Sequence, residues 1–488
     1  MTRLEDRDLL SVQEVRDLVA RAKEAQKCLA TFSQARIDEL VQAVMMAAMR
    51  NSPALGRLAR DETGFGKAED KTLKNFFAAS SVYEAIKDLK TVGIVKEDKV
   101  NRMFEVAVPV GVVAGLIPCT NPTSTAIFKA MIALKAGNAI VFSPHPSAKG
   151  CIQETVRILS EAVVSAGGPE DIFGCMSIVT QEGTEELMHS RDVALILATG
   201  GAGMVRAAYS SGTPAIGVGP GNTPAFIERS ADIPTAVRRI ISSKTFDYST
   251  ICASEQSVVV ESCIERGVRE EFARQGGYFL PQEDAAKVAR AIFTPSGGMN
   301  PRTVGKPPKF IADAAGISIP DGTVLLLAEG MGVGKEYPFS HEKLCPVLAF
   351  YSADGWEKCC EQCIELLAFE GAGHTLAIHS SNEEVIREFG LKKPVSRVVV
   401  NAGSALGAVG ATTNLVPSMT LGCGAIGHNA TSDNVGPLHL INIRRVAWGV
   451  REIEDLRPST PSTNGLDGAA LELLVERVTA KLAERLGL

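Results

Sequence analysis

A cysteine set among small and polar residues, just ahead of an apolar run, has the makings of a nucleophile. Cys252 stands so in Phe246-Asp247-Tyr248-Ser249-Thr250-Ile251-Cys252-Ala253-Ser254-Glu255-Gln256, before Val258-Val259-Val260. The helical pattern upstream ends near Phe246 and a buried strand is expected from Ser257. Cys252 therefore falls on a connecting loop, where rigid scaffolds often present reactive groups. A thiolate there would attack an electrophile, and a nearby helix end or backbone N–H groups would lower its pKa. The loop alone does not decide the matter, because free cysteines are mostly buried packing and the chain has 11 of them. Asn121, between Pro118-Cys119-Thr120 and Pro122, offers an amide that could donate to a developing oxyanion. Asn is also an ordinary turn former or helix cap. Glu342, in Ser340-His341-Glu342-Lys343-Leu344-Cys345-Pro346-Val347, reads by itself as a solvated carboxylate at a helix end.

The elements that must position these residues show in the hydrophobic pattern. Helices are expected over 11–30, 35–49 and 71–87, from apolar residues at helical spacing. A half-exposed strand is expected over 101–108. From Val110 onward the chain alternates: strand 110–117, helix 123–136, strand 139–142, helix 148–166, then apolar runs at 177–180 and 193–198. A second alternating stretch holds helix 235–246 and strands at 257–260, 323–328, 348–351 and 398–401. Two late strands are expected at 438–443 and 447–450. Such alternation gives parallel sheets flanked by helices, with ligands beyond the carboxyl ends of the strands. Thr199-Gly200-Gly201-Ala202-Gly203 lies at such an end. Glycines there let backbone approach a phosphate at a helix N-terminus. The spacing is not G-x-G-x-x-G, and a tight turn is the plainer reading.

The chain has 488 residues, 45% hydrophobic and 22% charged, with a net charge of −6. That is enough for two or three globular domains and leaves no basic footprint for nucleic acid. An odd cysteine count without framework spacing points to free thiols in a reducing compartment. The charged start, Met1 to Asp8, is no secretory signal. The uncharged stretch from Val106 to Phe128 is broken by Pro109, Pro118 and Pro122, so no membrane span is expected. A cytoplasmic protein follows. Cys359-Cys360-Glu361-Gln362-Cys363 has no second ligand cluster, so packing is the better reading and no metal is expected.

Thr250-Ile251-Cys252-Ala253-Ser254-Glu255-Gln256 resembles the nucleophile motif of the CoA-acylating aldehyde dehydrogenases. Pro118-Cys119-Thr120-Asn121-Pro122-Thr123-Ser124, Gly219-Pro220-Gly221-Asn222-Thr223-Pro224 and the stretch around Glu342 match in the same order. The resemblance runs from about Leu10 to Asp455. It implies an α/β fold of aldehyde dehydrogenase type: a Rossmann-type cofactor domain, an α/β catalytic domain and a small β oligomerisation flap. The boundaries expected are 1–100 with 109–228 for the cofactor domain, 229–436 for the catalytic domain and 101–108 with 437–456 for the flap. The resemblance further implies that Cys252 is the nucleophile and that Asn121, with the Cys252 N–H, forms an oxyanion hole. It places the cofactor on Ile117, Pro118, Thr120, His145, Pro146, Thr199, Gly200, Gly201, Val218, Gly219 and Glu342. Glu342 would contact the nicotinamide ribose.

Two departures carry information. Hydrolytic relatives keep a general-base Glu where this sequence has Val218. Valine has no proton acceptor, so an acyl-cysteine would wait for the thiol of coenzyme A. A Lys-Pro-Ser-Glu-like segment that touches the adenosine ribose in hydrolytic relatives reads His145-Pro146-Ser147-Ala148 here. NAD is expected by family habit, with NADP left open by the missing carboxylate. The resemblance thus implies oxidation of a short aldehyde, acetaldehyde or propionaldehyde, to acyl-CoA in a homodimer or homotetramer. A hydrolytic enzyme, a sulfoacetaldehyde-specific enzyme and a non-enzymatic scaffold are the alternatives. His374, in Gly373-His374-Thr375, could help CoA attack, or serve structure alone. The fused iron alcohol dehydrogenase domain of some relatives is expected to be absent from a chain ending at Leu488. Residues 457–466 read as a Pro/Ser/Thr-rich linker. Residues 467–488 read as an amphipathic helix with an apolar stripe of Leu471, Leu474, Val475, Val478, Leu482 and Leu486. A linker and short terminal helix resemble the peptides that send such enzymes into bacterial microcompartments, which puts the expected location inside one; folding back onto its own domain and pairing between subunits are the alternatives for this helix.

Overall fold

The computed structural model describes residues 6–295, 297–457 and 467–486. All but the first residue of the linker expected at 457–466, and the last two residues of the terminal helix expected at 467–488, lie outside them. The chain divides into two units, Met1–Val95 with Val106–Arg444, and Lys96–Glu105 with Arg445–Leu488. Among the described residues no helix is long and apolar enough to cross a membrane.

In chain order the strands are β1 Gly93–Asp98, β2 Met103–Pro109, β3 Val112–Ile117, β4 Ala139–Pro144, β5 Phe173–Cys175, β6 Val193–Thr199, β7 Ala215–Val218, β8 Thr223–Ile227, β9 Glu255–Glu261, β10 Gly277–Phe279, β11 Leu325–Glu329, β12 Val347–Ala353, β13 Gly373–His379, β14 Val395–Val400 and β15 Ile441–Ala447. The first unit holds two sheets. One has five strands in the order β5-β4-β3-β6-β7, all parallel; the other has seven, β10-β11-β12-β9-β8-β13-β14, also parallel. Every residue of β3, β4 and β9 is buried, as parallel strands covered on both faces require. The helix Pro122–Lys135, buried along its whole length, packs under the five-stranded sheet, with helices Gln34–Thr63 and Lys149–Ser165 beside it. β8, inside the stretch expected to join the first sheet, is instead central to the second.

The three-stranded sheet has the order β1-β2-β15. In the second unit Arg445 pairs with Glu105 at 3.0 Å and the Phe104 ring sits 5.8 Å from Trp448. The second unit also contains the helix Gly468–Leu486, none of whose residues is buried.

Three local expectations are corrected. The apolar run at 177–180 is not a strand, because Glu14 accepts the N–H groups of Ser177 (2.9 Å) and Ile178 (2.8 Å) and takes them from any ladder. The strand expected from 438 begins at Ile441, since Pro437 opens a 3₁₀ turn over Pro437–Leu440. No strand occupies 447–450 beyond Ala447.

Candidate active site

Strands β3, β4, β6 and β7 end at Ile117, Pro144, Thr199 and Val218. Those four ends open into one cleft of about 630 Å³. It lies where the strand order reverses around β3, the usual ligand crevice of an open parallel sheet. The segments after these strands complete its wall: Pro118, Thr120 and Asn121 after β3, His145 and Pro146 after β4, Gly200 and Gly201 after β6, Gly219 after β7. Cys252 and Glu342 reach it from the second sheet. The fold thus brings together in one cavity Cys252, Asn121 and every residue expected to hold the cofactor, whereas His374 is not among the residues that line it.

The cleft fits a dinucleotide. The Thr199 hydroxyl is buried there without a partner. A side chain at Gly201 would meet open space, and the helix Ala202–Ser210 starts immediately after it with no side-chain cap. Free N–H groups at that end favour negative charge. Ala148, at the end of the His145 turn, is fully buried and offers no carboxylate to a ribose.

Cys252 sits on the loop between the 3₁₀ turn Phe246–Ser249 and β9. Asp247, Tyr248 and Ser249 all have positive φ, at 47°, 47° and 69°. Each such non-glycine residue costs on the order of 1–2 kcal/mol, so the turn persists only because it is held. Asp247, fully buried, is the clamp. Its carboxylate accepts from the Lys67 N–H at 2.6 Å, Lys71 Nζ at 3.0 Å, Lys74 Nζ at 2.5 Å and Thr250 Oγ1 at 2.6 Å. Its own N–H donates to Asp70 at 2.7 Å. The two ammonium groups hold the Asp247 carboxyl below its usual range, against the burial that would raise it. Lys71, Lys74 and Asp247 form a buried ion cluster that sequence reading missed. The partners stand more than 170 positions apart, and lysines spaced i, i+3 look like a solvated face.

Asn121 occupies the N-cap position of the helix Pro122–Lys135 but its side chain makes no cap hydrogen bond. Its Oδ1 accepts from Lys74 Nζ at 2.6 Å. The amide is therefore held toward the cleft rather than used on the helix. Glu342 is no solvated carboxylate. It accepts the Gly221 N–H at 3.1 Å. Burial, then the charge of Glu370, pushes its carboxyl up to about 8.

The Cys252 thiol, partly exposed to the cleft, is also pushed up, to about 12. Burial is the main cause and the Glu342 charge adds to it, while Arg397 pulls the other way. A loop N–H can lower a thiol's pKa, and at Cys252 burial outweighs it. Arg397 is buried and binds the carbonyls of His374 (3.0 Å) and Gly422 (2.6 Å). His374 Nδ1 lies 2.9 Å from Thr375 Oγ1, and its Nε2 is buried without a partner. A Cβ added at Gly221 would meet both the Cys252 carbonyl and the His374 ring, which places these three residues together.

A profile of the aldehyde dehydrogenase family matches residues 5–276, more than half of the chain. This chain belongs to the aldehyde dehydrogenase family. It is 55% identical to an acetylating aldehyde dehydrogenase from Geobacillus thermoglucosidasius, with a TM-score of 0.91 over 92% of this chain and 99% of that one. It is 45% identical over 442 residues to the bifunctional aldehyde-alcohol dehydrogenase of Escherichia coli K12, covering 90% of this chain and 50% of that protein. The chain thus spans about half the length of that curated relative. A propionaldehyde dehydrogenase from the fucose-utilisation bacterial microcompartment of Clostridium phytofermentans is 28% identical, with a TM-score of 0.82 over 89% of this chain and 97% of that one. Within the aldehyde dehydrogenase family the chain stands with the acylating branch. Among the residues lining this aldehyde dehydrogenase cleft there is no lysine and no arginine; the buried cations around it face carbonyls and Asp247 instead.

Proposed function

We propose that this chain oxidises a short, uncharged aldehyde, acetaldehyde or propionaldehyde, to its acyl-CoA with NAD as hydride acceptor. The observation that carries the reading is the company Cys252 keeps. It shares a cleft with Asn121, and the wall position at the end of β7 that would hold a general base is Val218, 2% exposed. The Cys252 thiol loses its proton to solvent in the cleft as its sulfur attacks the aldehyde carbon, and the Asn121 amide with the Cys252 N–H supports the oxyanion. The nicotinamide, when bound, supplies the acceptor for the hydride that leaves that carbon. A thioester remains on Cys252, and Val218 can activate no water against it. The CoA sulfur then attacks the thioester carbonyl, the Cys252–acyl bond breaks, and the thiol is restored. In the tautomer protonated at Nδ1, which lies 2.9 Å from Thr375 Oγ1, His374 would offer Nε2 as an acceptor for the CoA thiol proton. Glu342, beside Gly221, positions the cofactor ribose. A cleft with no Lys or Arg in its lining suits a neutral aldehyde better than a sulfonate or a second carboxylate, the nearby Arg397 being taken up by the His374 and Gly422 carbonyls.

The test is cofactor reduction with acetaldehyde, propionaldehyde and sulfoacetaldehyde, each with and without CoA. Without CoA a burst of about one reduced cofactor per site is expected, followed by a stall. Steady acid production without CoA would defeat the proposal.

The terminal helix supports a second proposal, that it docks the enzyme in a microcompartment of the cytoplasm. Leu471, Leu474, Val475, Val478, Leu482 and Leu486 are 51–67% exposed, and an isolated helix this short is marginal until its apolar stripe is covered. Deleting 460–488 should keep activity and lose shell association, and fusing that segment to a fluorescent protein should confer it. Unfolding on deletion would make the helix structural instead. We assign assembly into a dimer or tetramer to the three-stranded sheet, which light scattering on a β15 variant can check.

A further inference from the structure

The geometry points to Lys74 as a positioning residue for the oxyanion hole, acting through Asn121 and not through the nucleophile. The inference rests on the proposal that Asn121 stabilises the oxyanion.

Lys74 comes from the helix Ala68–Phe76 and is 3% exposed. Its ammonium meets four acceptors: Asn121 Oδ1 at 2.6 Å, Asp247 Oδ2 at 2.5 Å, the Thr250 carbonyl at 3.0 Å and Thr250 Oγ1 at 3.2 Å. An ammonium only donates. The Asn121 atom against it must therefore be the carbonyl oxygen, and the amide cannot flip. Nδ2 is left on the opposite side, with one N–H at 3.3 Å from Thr120 Oγ1 and the other available to the cleft. A freely rotating amide would present its oxygen to the oxyanion part of the time, which is repulsive. The lysine charge also draws density from the amide, which makes its N–H a stronger donor as negative charge develops opposite. The same nitrogen holds Thr250, two residues before Cys252. One buried ammonium therefore fixes the oxyanion donor from the first sheet relative to the nucleophile loop of the second. Asp247 makes this affordable: it balances the charge that burial would otherwise strip from Lys74, and it is in turn shared with Lys71.

A purely structural lysine and a positioning lysine give different results in a double-mutant cycle. Lys74→Met, Asn121→Ala and the double variant are compared in single-turnover hydride transfer, with KM, cofactor binding and alkylation of Cys252 by iodoacetamide measured alongside. Asn121→Ala should slow hydride transfer by about 100- to 1,000-fold, and Lys74→Met by about 10- to 100-fold with KM unchanged. The double variant should be no slower than Asn121→Ala to within about twofold, because the lysine has nothing left to orient. Alkylation, which forms no oxyanion, should fall at least about fivefold less than hydride transfer in Lys74→Met, any residual fall reporting the contacts of Lys74 to Asp247 and Thr250. Lys74→Arg should recover part of the rate. If Lys74→Met does not fold, Lys74→Gln keeps an N–H donor to Oδ1 without the charge and takes its place in the cycle. Multiplying single effects, or alkylation falling in step with hydride transfer, would overturn the proposal. An Asn121→Ala enzyme with normal hydride transfer would instead defeat the oxyanion assignment on which it rests.

Discussion

Gly221→Ala is the smallest change that should disable the site without touching any reacting group. The backbone at Gly221 does not have a positive φ, so alanine brings no conformational penalty of its own. The whole effect is steric. A Cβ there would stand 2.2 Å from the Cys252 carbonyl oxygen and 3.3 Å from the His374 ring. Real Cβ contacts stay beyond 3.0 Å, so the Cys252 carbonyl, or the loop between β7 and β8 that carries residue 221, must retreat by about 0.8 Å. That carbonyl is rigidly joined to the nucleophile and to the N–H proposed for the oxyanion hole. Misplacing reacting groups by about 1 Å costs roughly 100-fold in rate, equivalent to about 2.7 kcal/mol of barrier. Overpacking by one methyl costs about 1–3 kcal/mol of stability, which lowers the melting temperature without unfolding the chain. The assay is the pre-steady-state burst of reduced cofactor, with melting measured on the same samples. Gly390→Ala, in the helix Glu383–Lys392 where a Cβ meets nothing within 4 Å, is the control and should behave as wild type. A Gly221→Ala enzyme with an undiminished burst would show that the loop around Cys252 tolerates displacement, and the argument from close positioning would fail.

Cys252→Ala should fold normally and bind cofactor, yet yield no burst; intact-protein mass spectrometry should show an acyl adduct on wild type and none on the variant. His379 is 1% exposed with both ring nitrogens unpartnered, and burial, aided by the Arg239 charge, lowers its pKa to about 4. The folded form therefore binds fewer protons than the unfolded chain between its ordinary value near 6.5 and that value. Its contribution to stability is complete above about pH 6.5 and falls away toward pH 4, by up to about 3 kcal/mol. Denaturant titrations of His379→Phe across that window should show a shallower acid loss than wild type, and identical slopes would refute the assignment.

What could be read from the sequence divides along a physical line. Thr250–Gln256, Asn121 and the glycine turn after β6 were legible because each is a local cluster whose chemistry fits within a few residues. β3, β4, β6 and β9 were legible as apolar runs between turn signals. β7 and β8 were not, because Gly217, Gly219, Pro220, Gly221 and Pro224 break the run that marks a strand. β13 escaped because His374, Thr375 and His379 look polar, although all seven of its residues are buried. The largest omission was Lys71, Lys74 and Asp247. No periodicity tells a buried ammonium from an exposed one when its partner arrives from another sheet.

The buried lysines have a common logic. A cleft at the carboxyl ends of parallel strands is walled by backbone that has left its ladder, and the carbonyls there need donors. In this chain lysines from the surrounding elements provide them. Lys129 reaches up from the helix Pro122–Lys135 to the carbonyls of Leu116 and Leu197, both at 2.8 Å. These belong to β3 and β6, the two strands that flank the crevice. Lys71 holds the Thr120 carbonyl at 3.0 Å, beside Asn121. Lys244 spans Gln256 Oε1 at 3.0 Å and the Lys343 carbonyl at 2.8 Å, and Lys343 turns back to the His341 carbonyl at 2.6 Å. That pair locks the segment carrying Glu342 to the strand after Cys252. The cost is desolvation, which lowers Lys244 to about 8, Lys343 to about 7 and Lys129 well below the ordinary range. A hydrophobic side chain would spare that cost but take this donor from two backbone carbonyls at Lys129 and Lys343 and from one at Lys71 and Lys244, at roughly 1–3 kcal/mol for each one left unmet. A lysine stem is long and slender enough to cross a packed helix–sheet interface and deliver its donors at the tip. These contacts tie down the segments that carry Asn121, Cys252 and Glu342, the three residues assigned above to the oxyanion, the thioester and the cofactor.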